Sequence, residues 1–353
     1  TRGYLVGEQT ASLIYFDSST VRETYEANRT NITGIYDNVG NYGGVLENTN
    51  GLISYDATPS ENVTGTVAGS GTEADPYKIT CKEDLMRLAI ALNTDCAYGA
   101  NCFGVAATKE GAKQLRSAHY EVTNSIDLTN TGIYDLSRND KATEAVMAEY
   151  AFKGTFAGSN ANIAITMDSH ETNQSNIGLF PSVSNATFKN LIIKTTPGKP
   201  WKYAKNAAGI APYVYGGMTL DTVNSKVELV ARGENAKYYY GAIAGYIVLN
   251  KNYGSTITTN NLTLDASITD VRTYQYVGGL AGYIYAIDTG VVPNIQLNGT
   301  TTIGNEFTFG GNYYVNNTNN TSLAGGLIGV IYTGYIQNKT LIIKHSLILL
   351  NFH

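Results

Sequence analysis

The sequence predicts an all-β protein, a parallel β-solenoid with a β arm ahead of it and a short helix capping its first turn. Three observations predict it. A glycine-containing motif recurs from residue 177 onward. Second apolar segments rich in Val, Ile and Leu lie between its copies. An amphipathic helical stretch stands ahead of the repeated region.

The motif reads IGLFPSV at 177–183, AGIAPYV at 208–214, GAIAGYI at 241–247, GGLAGYI at 278–284 and GGLIGVI at 325–331. Aligned, it gives a column of Gly178, Gly209, Ala242, Gly279 and Gly326, followed by Leu179, Ile210, Ile243, Leu280 and Leu327. A second small-residue column holds Pro181, Pro212, Gly245, Gly282 and Gly329, and an apolar one holds Val183, Val214, Ile247, Ile284 and Ile331. Copies lie 31, 33, 37 and 47 residues apart, so the motif stays constant while the interval grows. One such unit cannot bury its apolar face, but stacked copies can, with like residues about 4.8 Å apart. The glycine columns then mark a corner where the chain takes unusual φ/ψ values or passes close to a neighbouring backbone. Variable loops hang outside the stack. A helical repeat of this period would carry far fewer glycines and β-branched residues.

The second apolar segments are LIIK at 191–194, VEL at 227–229, LTL at 262–264, IQL at 295–297 and LIIK at 341–344. Ahead of the repeats, Thr80 and Glu83 have the spacing of a capping box. Leu85, Leu88, Ala89 and Leu92 then place an amphipathic helix at 82–93, which covers the first turn of the stack. A second short helix is expected around 109–117. Residues 1–73 lack the repeat and are expected to form an arm or small β segment, with 74–353 forming the solenoid. Within that arm, residues 3–19 read as strand and residues 37–44 as a glycine-rich turn. Residues 341–352 are apolar almost throughout, so this end is expected either to be covered by something else or to be cut from a longer chain. The chain opens Thr1-Arg2 rather than with Met, as it would after loss of a leader or at an internal boundary.

These pieces resemble the GLUG-type repeats of microbial cell-surface, adhesin-like proteins. The resemblance rests on the G-[LI]-x-G copies and on four preceding segments. These are GSGTEADPYKIT (69–80), CKEDLMRLAIALN (81–93), HYEVTNSIDLT (119–129) and FKGTFAGSNANIAITM (152–167). It covers about residues 69–345. Ala157 stands where the family usually has Asp, Pro181 and Pro212 replace a glycine, and 97–118 reads as an insertion. The resemblance implies a right-handed parallel β-helix with a role in adhesion or surface structure, and it implies no catalytic residues.

Composition narrows the function classes. Charged residues are 15% of the chain, well under the usual quarter, while Gly (37) and Tyr (27) are abundant. This profile suits an extracellular or cell-surface location. A net charge of −5 gives no electrostatic reason to bind nucleic acid. No apolar run reaches the ~18 residues of a membrane-spanning helix. Eleven N-x-S/T sequons make candidate glycosylation sites at Asn28, Asn31, Asn62, Asn173, Asn185, Asn261, Asn298, Asn316, Asn319, Asn320 and Asn338. Cys96 and Cys102 could close a small disulfide loop, or stay as buried thiols alongside Cys81.

No metal-ligand, phosphate-binding or dinucleotide motif is present, and His119, His170, His345 and His353 have no ligand spacing. No cofactor is expected. Polysaccharide-cleaving β-helices need clustered carboxylates, but Asp127, Asp168, Asp221, Asp265, Asp270 and Asp288 fall in different registers. Tyr213, Tyr246 and Tyr283 share one column and are expected to stack. Tyr238, Tyr239, Tyr240, Tyr313 and Tyr314 are read as loop residues that make surface contacts. The function expected is non-catalytic: a structural or adhesive surface protein, joined head-to-tail with itself into a filament through its arm and open ends. The alternative is a carbohydrate-binding or carbohydrate-degrading β-helix, with surface glycans or host cells as partners.

Overall fold

The computed structural model describes residues 46–48, 51–53, 67–93, 96, 103–106, 108–129, 136, 148–169, 176–232, 236–272, 274–286, 293–303, 308–309, 323–333 and 342–350. The chain is mostly β. Leu46–Asn48 pairs antiparallel with Gly51–Ile53. The strand expected at 3–19 and the turn at 37–44 lie outside the described residues.

From Tyr77 onward the strand ladders are parallel. Each strand of a repeat pairs with its counterpart in the next. The short strands Asn176–Ile177, Asn206–Ala208, Tyr238–Gly241, Gln275–Gly278 and Leu323–Gly325 form a five-stranded sheet in chain order. Trp201–Lys202, Glu228–Val230, Ser267–Thr269 and Thr308–Phe309 form a four-stranded one. The largest sheet runs from Tyr77–Ile79 through His119–Val122, Thr155–Gly158, Ser182–Thr195, Ala211–Lys226, Ala244–Leu249 and Ala281–Ala286 to Ile328–Thr333. Thr256–Leu264, Asn294–Ile303 and Ile342–Leu350 extend it sideways.

The aligned motif and the observed register agree. Val183, Val214, Ile247, Ile284 and Ile331 are successive partners. Backbone bonds also join the corners: Leu179 N donates to Gly209 O (3.2 Å), Ile210 N to Ile243 O (3.0 Å) and Leu280 N to Leu327 O (2.7 Å). The five intervening apolar segments do not share one column. LIIK at 191–194 pairs with 223–226, not with VEL at 227–229, which belongs to the four-stranded sheet. IQL at 295–297 pairs with 257–259, one half-strand before LTL. Each long strand contains a bend, so two apolar segments follow each corner, and sequence alone does not say which half matches which.

That bend is a second stacked corner. Asn190, Thr222, Asn261 and Gly299 follow one another across the sheet, and all have left-handed φ, at 53°, 56°, 55° and 62°. Asn and Gly tolerate this region; a β-branched Thr does so at a cost. Inside the bend, Tyr77, Tyr120, Phe156, Phe188, Leu220, Thr259 and Leu297 form one buried column. Phe152 stacks on Phe180 with centroids 4.2 Å apart.

Helix α1 (Lys82–Asn93) packs on the edge strand Tyr77–Ile79 and on α2 (Lys109–Ser117). It buries Leu85, Leu88, Ala89 and Leu92 in the main core, as its spacing predicts. Its cap is shifted by one residue from the expected pair. Asp84, not Glu83, accepts from Thr80 N at 2.8 Å and from Thr80 Oγ1 at 2.7 Å. Cys81 precedes the helix and its carbonyl receives Leu85 N at 3.4 Å, which puts Asp84 three positions inside the cap. Helix α2 starts at Thr108, whose hydroxyl accepts from Gly111 N at 3.2 Å. Arg116 in α2 is buried and donates to Leu92 O near the end of α1 at 2.7 Å, tying the two helices together. Val67 belongs to the same apolar cluster.

Candidate binding surface: a tyrosine face beside the glycine corner

Gly178, Gly209, Gly245, Gly282, Gly326 and Gly329 are not among the residues with left-handed φ. Of the two reasons the sequence offers for the corner glycines, unusual torsion and close approach, the second operates at all of these but Gly326, where a Cβ would meet only Ile303 Cδ1 at 3.3 Å. A Cβ on Gly245 would lie 2.9 Å from Tyr239 O, and one on Gly282 would lie 2.7 Å from both Tyr240 O and Tyr276 O. On Gly329 it would meet Val277 O at 2.6 Å, and on Gly178 Ala208 O at 2.9 Å. Real Cβ atoms do not sit this close to a carbonyl. At Gly245 and Gly282 the short strand before the corner therefore lies against the strand after it, while at Gly178 and Gly329 the crowding carbonyl belongs to a neighbouring repeat.

The close approach brings together side chains from two strands of each repeat. Tyr239 and Tyr276 come from the short strands; Tyr213, Tyr246, Tyr283, Tyr285 and Tyr332 come from the strands that follow. Tyr239 stacks on Tyr246 (4.7 Å) and on Tyr276 (5.6 Å), and lies 5.3 Å from Tyr283. Tyr276 meets Tyr283 edge-on at 5.2 Å. Tyr246 lies 6.3 Å from Tyr285, which lies 5.3 Å from Tyr332. The rings are half-buried, except that Tyr332 is 49% exposed. The expected column is present but is not a face-to-face stack: Tyr213 meets Tyr246 edge-on, at 86°, and Tyr246 and Tyr283 are tilted by 34°. Offset and edge contacts suit the aromatic quadrupole better than a flat sandwich. Burial, with the neighbouring phenols as a further cause, pushes Tyr239 and Tyr283 up to about 12.

At one margin, Asn206 donates from Nδ2 to Tyr213 Oη at 2.9 Å and to Asn176 Oδ1 at 2.8 Å. Its Oδ1 accepts from Tyr239 N at 2.9 Å, so it fixes both walls of the face. At the other, Tyr215 is covered by Ala148, Ala151 and Tyr253.

The tyrosine triplet does not act as a loop. Tyr238, Tyr239 and Tyr240 lie in a strand, and alternation sends only Tyr239 outward. Tyr238 and Tyr240 are buried. Tyr240 Oη donates to Ala204 O and accepts from Arg232 N, both at 2.9 Å, which holds two turns of backbone together. Tyr313 and Tyr314 lie outside the described residues. The contributors that sequence reading missed are Tyr276, Tyr285 and Tyr332. The signal was available: Tyr276 follows Tyr239 at the same interval as their motif copies, and Tyr283-Ile284-Tyr285 alternates as a half-exposed strand must.

The remaining candidate residues disperse. Gly279 keeps its corner position, its N donating to Gly326 O at 3.2 Å. Cys96 is buried, while Cys102 lies outside the described residues. Asn185, Asn261 and Asn298 are exposed; the other sequons, at Asn28, Asn31, Asn62, Asn173, Asn316, Asn319, Asn320 and Asn338, lie outside the described residues. The Asn185 amide bridges two backbone segments, since Oδ1 accepts from Gly217 N and Nδ2 donates to Tyr253 O, each at 2.8 Å. Asn261 Oδ1 likewise accepts from Thr300 N at 3.1 Å.

Asp221 lies between Lys189 and Asn260 in its column, Asp265 pairs with Lys226 at 3.2 Å, and Asp127 sits opposite Thr166. No carboxylates are paired partners in these ladders. Among the described residues no cluster of three His, Cys, Asp or Glu side chains suits a metal, and no helix is long and apolar enough to cross a membrane. No protein-family model, curated protein or solved structure matches the chain.

Proposed function

We propose that the chain is a non-catalytic structural or adhesive protein of the cell surface or extracellular space. In this reading it is a right-handed parallel β-helix of the GLUG-like kind, and copies join end to end. The observation that carries the reading is the fading of the apolar columns at the last repeat. Leu179, Ile210, Ile243 and Leu280 are fully buried, but Leu327 is only partly so; Ile331 differs in the same way from Val183, Val214, Ile247 and Ile284. At the opposite edge of the sheet, α1 packs on Tyr77–Ile79 and, with α2 behind it, supplies a cover. In this reading a parallel strand from a second copy completes the columns at the last described repeat, as each repeat does for the one before. Electron microscopy of the purified chain at rising concentration tests this. Rods that lengthen with concentration, and shorten in Leu327→Lys, support it; folded single particles at every concentration overturn it.

The tyrosine face favours a second reading, in which the same rod binds neutral polysaccharide. Half-exposed rings offer flat apolar area to sugar C–H groups, with phenol hydroxyls at the edge for hydrogen bonds. Glycan-array binding that Tyr276→Ala and Tyr283→Ala abolish supports this reading. Binding unchanged by those substitutions removes it.

A further inference from the structure

Tyr332 is the exposed large apolar side chain among the described residues. It is the direct cross-strand partner of Tyr285, with ring centroids 5.3 Å apart and planes at 39°. Behind that pair the aromatic cluster continues without a break, through Tyr246 at 6.3 Å and Tyr239 at 4.7 Å from it, to Tyr276 and Tyr283. We propose that Tyr285 and Tyr332 form an oxidative cross-linking site, where a haem peroxidase with hydrogen peroxide joins their rings as dityrosine.

The chemistry needs three things, and the pair meets each. An oxidant must reach a phenol, and Tyr332 faces solvent. A phenol that loses an electron must also lose its proton, and water beside Tyr332 accepts it. Burial raises Tyr239 and Tyr283 to about 12, so these deeper rings give up a proton less readily than a free phenol does. A second radical must then form within coupling reach, and Tyr285 is held there by strand pairing. Each phenol gives up one electron and one proton, and one hydrogen peroxide takes both pairs and leaves as two waters. The radicals couple between ring carbons ortho to the oxygens. The hydrogen on each joined carbon moves to its oxygen, restoring two phenols. The new bond ties the last two described repeats together, where the apolar columns are least buried.

The test treats the full chain with peroxide and a haem peroxidase, then maps cross-linked peptides by mass spectrometry. The expected product joins the peptides carrying Tyr285 and Tyr332, lighter by two hydrogens, within one chain. Tyr332→Phe removes that product while its circular dichroism stays unchanged. Tyr239→Phe keeps the product. Denaturing the chain in urea before oxidation scatters the coupling over other tyrosines. Coupling elsewhere in the folded chain, equal yield of this pair from denatured protein, or no coupling of the pair overturns the proposal.

Discussion

Tyr239 lies nearly flat on Tyr246, with centroids 4.7 Å and planes 25° apart, and Gly245 sits beneath them with no side chain to hold the two strands off. The stack and the glycine are two consequences of one close approach. Backbone closeness is what lets a residue before the corner touch one after it.

Gly282 occupies the same vertex one repeat later. Gly282→Ala is expected to destabilise the protein by about 1–3 kcal/mol, through collision of the new methyl with Tyr240 O and Tyr276 O rather than through torsional strain. Thermal or urea unfolding measures the loss. A neutral Gly282→Ala would mean the strands have room that the geometry denies them.

The tyrosine face should make stability sensitive to alkali. Tyr239 and Tyr283 titrate near 12 when folded against 10.0 for a free phenol. The folded state therefore holds their protons more tightly than the unfolded chain. The stabilisation is complete below about pH 10 and is lost as pH climbs toward 12. Ultraviolet difference titration should show late-ionising phenols, and Tyr239→Phe should remove part of that late phase. A single titration step at the ordinary phenol value would refute the assignment.

Thr222 is the misfit in the column of Asn190, Asn261 and Gly299, because it holds φ 56° with a β-branched side chain. Thr222→Asn should stabilise by about 1 kcal/mol, as relief of left-handed strain. Chemical denaturation midpoints would report it. A loss of stability would show that the Thr222 hydroxyl, bonded to Asp221 at 3.2 Å, outweighs the strain.

Thr259 interrupts a column of large apolar residues, and its buried hydroxyl has no hydrogen-bond partner. Thr259→Val keeps the shape and removes the unsatisfied oxygen, so it should stabilise by about 1 kcal/mol. A destabilised valine variant would reveal a role for the hydroxyl.

How much of this was legible follows from how the chain stacks. Parallel in-register pairing puts like residues over like, so the corner motif repeats in the sequence and its register can be read by alignment. The bend at Asn190, Thr222, Asn261 and Gly299 escapes the same reading. Its residues share a tolerated backbone conformation rather than an identity, and loops of unequal length shift their spacing. The tyrosines divide similarly. Abundance marks them as candidates, but only strand alternation, known once Tyr238–Gly241 is placed, separates Tyr239 on the surface from Tyr238 and Tyr240 in the core.

By itself, then, the sequence determined the β character, the two helices and the alignment of repeats, because these rest on local preference and periodic burial. Tertiary structure decided why the corner glycines are needed, which cap residue holds α1 and which tyrosines meet. Those depend on distances between segments far apart in the chain, and such distances exist only once the backbones have packed.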